Sequence, residues 1–214
     1  YLNVDVEKEK ILSESIKELD KDLILRLSKR KPGKKIKDHV GISSYYKMSD
    51  FIKLADGSSY IIAEENRVIE TTTCSQRACV TTYLYLSDYI LLIKVSPEGE
   101  ITSMVDIPKR QSSSRGTHFQ SYLAMHQDND LYLLYNDNIK NYKNQKEITS
   151  YHQLKPFTDS QSNGVLTMIT MAADGTKTKT QMMQNKDKKT ILMPRRGLRV
   201  DKGIYLAPLY KKRN

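Results

Sequence analysis

The chain is 214 residues long and 38% hydrophobic, with 35 Lys and Arg against 25 Asp and Glu, a formal net charge of +10. That length bounds the fold to one large domain or two small ones, and the absence of a run of about 18 apolar residues excludes a membrane-spanning helix. The charge favours anionic partners (nucleic acid, phospholipid headgroups or acidic proteins) without choosing among them, and a basic solvated surface accounts for it equally.

In chain order, residues 4–20 are predicted helical, because Leu12, Ile16, Leu19 and Leu23 recur on one apolar face. Leu23, Leu25 and Leu27 then alternate with Ile24, Arg26 and Ser28, which predicts a strand leading into the Pro32-Gly33 turn. A single helix running to Lys29 competes with that reading. From residue 42 onward the pattern is mostly strand, and the 14 Tyr beside 3 Phe and no Trp suit strands with one wet end. Residues 90–95 are almost continuously apolar, as expected of a strand buried on both faces. Two polar stretches, 108–116 and 138–164, interrupt the strands. The second is expected to hold a short helix near 146–154. Loops of this kind are where function collects.

A repeat runs through the chain. Glycine hairpins read LILRLSKRKPGKKI around Gly33, ILLIKVSPEGEI around Gly99 and LTMITMAADGTK around Gly175. Between them lie tyrosine-led strands, SYIIAEEN at Tyr60, LYLLYNDN at Tyr132 and IYLAPLYK at Tyr205. Each follows a turn: Asp56-Gly57, Asp128-Asn129-Asp130 and Asp201-Lys202-Gly203. The tyrosines are spaced 72 and 73 positions apart, and the glycines 66 and 76. Regular spacing of this size marks stacked copies of one supersecondary unit. One glycine hairpin plus one tyrosine hairpin makes about four strands, the content of a propeller blade.

The predicted fold is therefore mainly β and propeller-like, a partial propeller of about three four-stranded repeats behind a short N-terminal helical segment at 1–21. The repeats fall at about 22–65, 88–137 and 164–210, with insertions at 66–87 and 138–163. Three blades are fewer than the roughly four to eight of closed rings, so further polypeptide is expected to cover the open edges. The chain starts at Tyr1, not Met, so its N-terminus is expected to be processed or trimmed, and a targeting signal to be lost with it.

Cys74 and Cys79 are the only cysteines. β-Branched runs on both sides favour strands, and four residues between the cysteines suit a hairpin loop. Opposed positions in a hairpin are close enough for a disulfide, which would place the protein in an oxidising compartment. Two free thiols are the alternative. C-x4-C without a second ligand pair is a weak zinc signal.

His39, His118, His126 and His152 form no metal-binding spacing, and no nucleophile elbow, P-loop or dinucleotide fingerprint occurs. Glu64-Glu65 and Asp128/Asp130 are the carboxylate pairs a glycosidase would need, but both sit at strand ends or turns, where such residues serve the backbone. Asn136, Asp137 and Asn138 are expected to cap the insertion that follows them. No catalytic, cofactor-binding or metal-binding residue is assigned. Basic clusters at Arg195, Arg196 and Arg199 and at Lys211, Lys212 and Arg213 are the candidate contacts for an anion or a partner.

The segments IKVSPEGEI, FQSYLAMHQDNDLYLLYNDNIKN, GVLTMITMAADGTKTK and ILMPRRG resemble a family of uncharacterised β-propeller-like proteins from the cell envelope of certain Gram-negative bacteria. Tyr135, Asn136, Asp137, Asn138 and Asn141 match one family motif, and Met193, Pro194 and Arg195 another. The resemblance spans roughly 50–210 and lacks the Cys74/Cys79 hairpin. It implies export to the periplasm or outer membrane and no known activity. The function expected is a non-enzymatic binding or accessory subunit of an envelope complex, with no cofactor and no sequence-specific nucleic acid. A carbohydrate-binding or carbohydrate-active propeller is the alternative.

Overall fold

The computed structural model describes residues 2–29, 41–142, 148, 151–159, 162–188 and 190–211. The protein is mainly β, with several antiparallel sheets and none closed. The N-terminal stretch is not helical as expected. Strand β1 (Leu2–Asp5) pairs with β2 (Lys10–Glu14) in a hairpin, and helix α1 follows at Lys21–Leu27. Leu12 and Ile16, which would have formed the apolar helical face, are 60% and 84% exposed. A helix lacking a surface on which to bury that face has little to stabilise it. The 23–28 segment likewise departs from the predicted strand and is mostly helix. Leu23 and Leu27 fit an alternating strand, but their i,i+4 spacing also fits one helix face, and both are buried there. Asp20 caps α1 by accepting from the Leu23 N–H at 2.7 Å.

Two four-stranded meanders make up the body. The first runs β3 (Tyr46–Lys53), β4 (Ser59–Cys74), β5 (Cys79–Val95), β6 (Ile101–Ile107), with short β7 (Gln111–Ser113) added to β5. The second runs β8 (Leu123–Gln127), β9 (Asp130–Asn138), β10 (Gly164–Met171), β11 (Lys177–Gln184). The remaining strands are β12 (Thr190–Leu192), β13 (Leu198–Asp201), β14 (Ile204–Leu206) and β15 (Leu209–Lys211), with β13 paired to β14 and β12 to β15.

Turn chemistry is repeated between the two meanders. Gly99 and Gly175 each join the third strand to the fourth, with φ of 90° and 88°, conformations that only glycine adopts at low cost. Gly99 N–H donates to Ser96 O and Gly175 N–H to Ala172 O, the same closure in both sheets. Asp56-Gly57 and Asp128-Asn129 each join the first strand to the second. These two turns also touch, since Asp56 N–H donates to the Asn129 side chain at 2.8 Å. Asp201-Lys202-Gly203 makes the same first turn in β13–β14. Gly33 lies outside the described residues.

The sheets divide the chain differently from the predicted 22–65, 88–137 and 164–210. Each sheet begins with the tyrosine hairpin and ends with the glycine hairpin, a shift of half a repeat. Residues 66–87 are not an insertion between units but the far half of the β4–β5 hairpin, ending at Cys74 and Cys79. The 138–163 segment likewise connects the second and third strands of its own sheet. Its described part holds single 3-10 turns at Ile139–Tyr142 and Tyr151–Gln153; of the stretch 146–154, where a short helix was expected, residues 146, 147, 149 and 150 lie outside the described residues.

One face of each sheet meets the other. Tyr60, Ile62, Ile90, Leu92 and Ile107 pack on Leu131, Leu133, Tyr135, Ile169 and Met171. The opposite face of the first sheet, through Ala63, Tyr89 and Leu91, receives Leu23 and Leu27 of α1. Strand β5 is thus covered on both sides, as its apolar run requires. Beyond this core the β4–β5 hairpin continues as an exposed two-stranded arm. Thr72 and Thr81 hydroxyls meet across it at 2.9 Å, and Cys74 and Cys79 are joined by a disulfide at its tip.

Candidate functional site

Strands β3, β8 and β13, each the first strand of its sheet, line a common cleft of about 600 Å³. A β-bulge at Ser49 opens β3 there, since the β3–β4 register shifts between Met48 and Asp50. Bulges re-aim side chains in this way. The Ser49 hydroxyl contacts that of Tyr122, and Tyr122 donates to Asp50 at 2.6 Å. Burial, and then the hydrogen bond to Asp50, pushes the Tyr122 phenol far above its ordinary pKa. It therefore acts as a neutral donor that fixes Asp50.

Glu64 closes the floor of the cleft. Its carboxylate is fully buried and meets the ammonium of Lys109, which is equally buried, at 2.8 Å. Ser87 and Ser121 hydroxyls each donate to it at 2.7 Å, and the Asn66 amide at 2.9 Å. Burial raises the Glu64 pKa, but the Lys109 charge and these hydrogen bonds outweigh it, and the net direction is down. Burial lowers the Lys109 pKa, and Glu64 offsets part of that loss. Ser87 O, Ser87 Oγ and Gln111 Oε1 also accept from Lys109, within 3.0 Å. Lys109 comes from the link between the two meanders, so this ion pair fastens the start of that link to the first sheet.

The rim is basic. Arg195 Nη2 lies 3.1 Å from Asn66 Oδ1 and 3.7 Å from Glu64 Oε2. Arg199 donates to His126 Nε2 at 3.0 Å. Burial and then the Arg199 charge lower the His126 pKa. The Tyr205 hydroxyl accepts from His126 N–H at 3.0 Å, tying β14 to the open edge of β8. With Lys109 offsetting Glu64, the cleft presents Lys47, Arg195 and Arg199 against Asp50.

Of the basic residues singled out in the sequence, Arg195 and Arg199 reach this cleft. Arg196 is exposed on the neighbouring turn and Lys211 lies opposite Thr190, neither of them lining it. Lys212 and Arg213 lie outside the described residues. Lys47, Asp50, Tyr122 and the Glu64–Lys109 pair were not found from sequence. Only the adjacency of Glu64-Glu65 signalled Glu64, and nothing local marks Lys109. Of Asn136, Asp137 and Asn138, all expected to cap the insertion that follows, Asp137 and Asn138 do so and Asn136 does not. Asn136 donates to Phe119 O and Leu192 O at 2.9 Å and accepts from Leu192 N–H, docking β12 on the second sheet. Asp137 accepts from Asn138 N–H and the Asn141 amide and pairs with Lys179, while Asn138 accepts from Lys140 N–H. Among the described residues no three His, Cys, Asp or Glu side chains converge to hold a metal, and no helix is long and apolar enough to cross a membrane. No family model, curated protein or solved structure matches the chain.

Proposed function

We propose that the protein is a non-enzymatic, propeller-like binding module that serves as an accessory subunit of a bacterial cell-envelope complex, holding an acidic segment of another chain. The observation that carries this reading is the convergence of β3, β8 and β13 on one basic-rimmed cleft. Four-stranded sheets repeated around a central channel are the plan of a propeller, and on that plan these are the channel-side strands. Lys47, Arg195 and Arg199 supply complementarity to carboxylates. Glu64 is held ionised by Lys109 and is no proton donor, which favours binding over acid catalysis. The hairpin β13–β14 carries Leu198, Val200, Ile204 and Leu206 at 49–58% exposure. A two-stranded sheet with this much apolar surface is marginal alone, and contact with further polypeptide stabilises it. The Cys74–Cys79 bond supports an oxidising, extracytoplasmic location.

Purification from the native source, with associated chains identified, tests the proposal. A stoichiometric protein partner that is lost on R195E/R199E substitution is the expected result. A monomer by light scattering, without a partner and with a single cooperative unfolding transition, overturns it. A carbohydrate-binding cleft is the second reading, supported by Asp50, Glu64, Tyr122 and Tyr205 in one concavity. Retention on immobilised glycans without a protein partner would favour that reading.

A further inference from the structure

The outer edges of the two meanders are blunted or partly covered. β3 carries Lys47, Lys53 and the bulge at Ser49, and β11 carries Lys177 and Lys179. In β8 the His126 N–H meets the Tyr205 hydroxyl, and Ser15 and Lys17 engage Ile101 at the start of β6. Charges, bulges and covering segments of this kind keep a sheet edge from pairing with another chain.

The β5 edge of the arm has none of them. Residues 79–84, CVTTYL, pair with β4 on one side in an unbroken register, and with no strand on the other among the described residues. They hold no charge, proline or glycine. Val80, Tyr83 and Leu84 stand 40–59% exposed there. Arg67, Glu70 and Arg77 are the charged residues of the arm, which is near neutral in a chain of net charge +10. Two copies of so basic a chain repel each other least where their arms meet, and an acidic partner finds little there to hold.

The segment also fits its own copy. Two identical antiparallel strands are related by a two-fold axis normal to the sheet, so one residue faces itself. With Thr82 on that axis, Val80 faces Leu84 of the other copy and Thr81 faces Tyr83, apolar on apolar and Thr on aromatic. That register stops short of Tyr85, whose edge β7 already occupies. Centring on Thr81 sets Val80 against Thr82, and centring on Tyr83 sets Leu84 against Thr82, so both lose the apolar pairing.

We infer that the arm is a homodimerisation element, in which residues 80–84 of β5 pair antiparallel with the same residues of a second copy, Thr82 facing Thr82. This surface is separate from the cleft of β3, β8 and β13, and the inference does not rest on the function proposed for that cleft.

Sedimentation of the purified full chain tests it. The interface is small and the dimer therefore weak, so the mean mass is expected to rise from one chain toward two between about 5 µM and about 500 µM. Hydrogen exchange over that range should slow at amides within 80–84 and stay unchanged at 68–73. Thr82→Lys and Thr82→Glu each place like charges on the axis and should weaken the dimer roughly 10-fold or more, whereas mixing the two variants sets Lys against Glu and should restore it. A wild-type chain that stays monomeric throughout, a dimer protected elsewhere than 80–84, or variants that both weaken but do not recover on mixing would each overturn the inference. Protection of 80–84 by a different protein alone would overturn it in favour of a foreign strand. The wild-type measurements decide it even where a variant fails to fold.

Discussion

Lys109→Met isolates the contribution of the buried ion pair. Methionine keeps most of the stem volume and removes the ammonium, leaving the fully buried Glu64 carboxylate without its cation. Breaking a buried pair from one side costs about 3–5 kcal/mol. Ser87, Ser121 and Asn66 still donate to Glu64, so the lower end, roughly 3 kcal/mol, is expected. For a chain of this size that corresponds to a melting temperature lower by roughly 6–12 °C. Urea unfolding followed by far-UV circular dichroism measures the loss, since the chain has no Trp to report by fluorescence. The double variant Glu64→Leu/Lys109→Met removes both charges and is expected to recover most of the stability. A Lys109→Met loss below about 1 kcal/mol, or a double variant weaker than the sum of its singles, would refute the assignment of a strongly coupled pair.

The same pair gives a pH dependence. Glu64 has a folded pKa below its ordinary 4.5, so its contribution is complete above that value and is lost as pH falls through the folded pKa. The stability gap between wild type and Glu64→Gln should therefore narrow as urea midpoints are taken from pH 6 down to pH 3, and a constant gap would exclude the linkage. Asn136→Ala is expected to cost about 1–3 kcal/mol, since Leu192 N–H and the Phe119 and Leu192 carbonyls lose their partner. Hydrogen exchange at the Leu192 amide should accelerate, and unchanged protection would show that β12 is held by other contacts. Cys74 and Cys79 should resist alkylation until reduced, with intact mass as the readout; two labelled thiols in the untreated protein would remove the support for an oxidising compartment.

The sequence alone determined what depends on single backbone conformations and on local spacing. Gly99 and Gly175 were recognisable because a turn needing φ near 90° admits glycine and little else. The aspartate turns and the caps at Asp137 and Asn138 were legible because a short polar side chain satisfies groups only a few residues away, whereas Asn136 reaches Phe119 and Leu192 across the fold. Residues 90–95 declared their burial on both faces because hydrophobicity with no alternation has no wet side to occupy. Only the tertiary structure decided which hairpin begins a sheet, because either phase of a repeat gives the same spacing and strand pairing settles it at long range. It also decided that Leu23 and Leu27 lie on a helix, where both periodicities fit and the surface offered by Ala63 and Leu91 selects one. The cleft lay beyond the sequence for the same reason. Lys109 is 45 positions from Glu64, and Arg199 is 73 from His126. No local pattern records such pairings, which exist once two sheets and a link have packed and excluded the water between them.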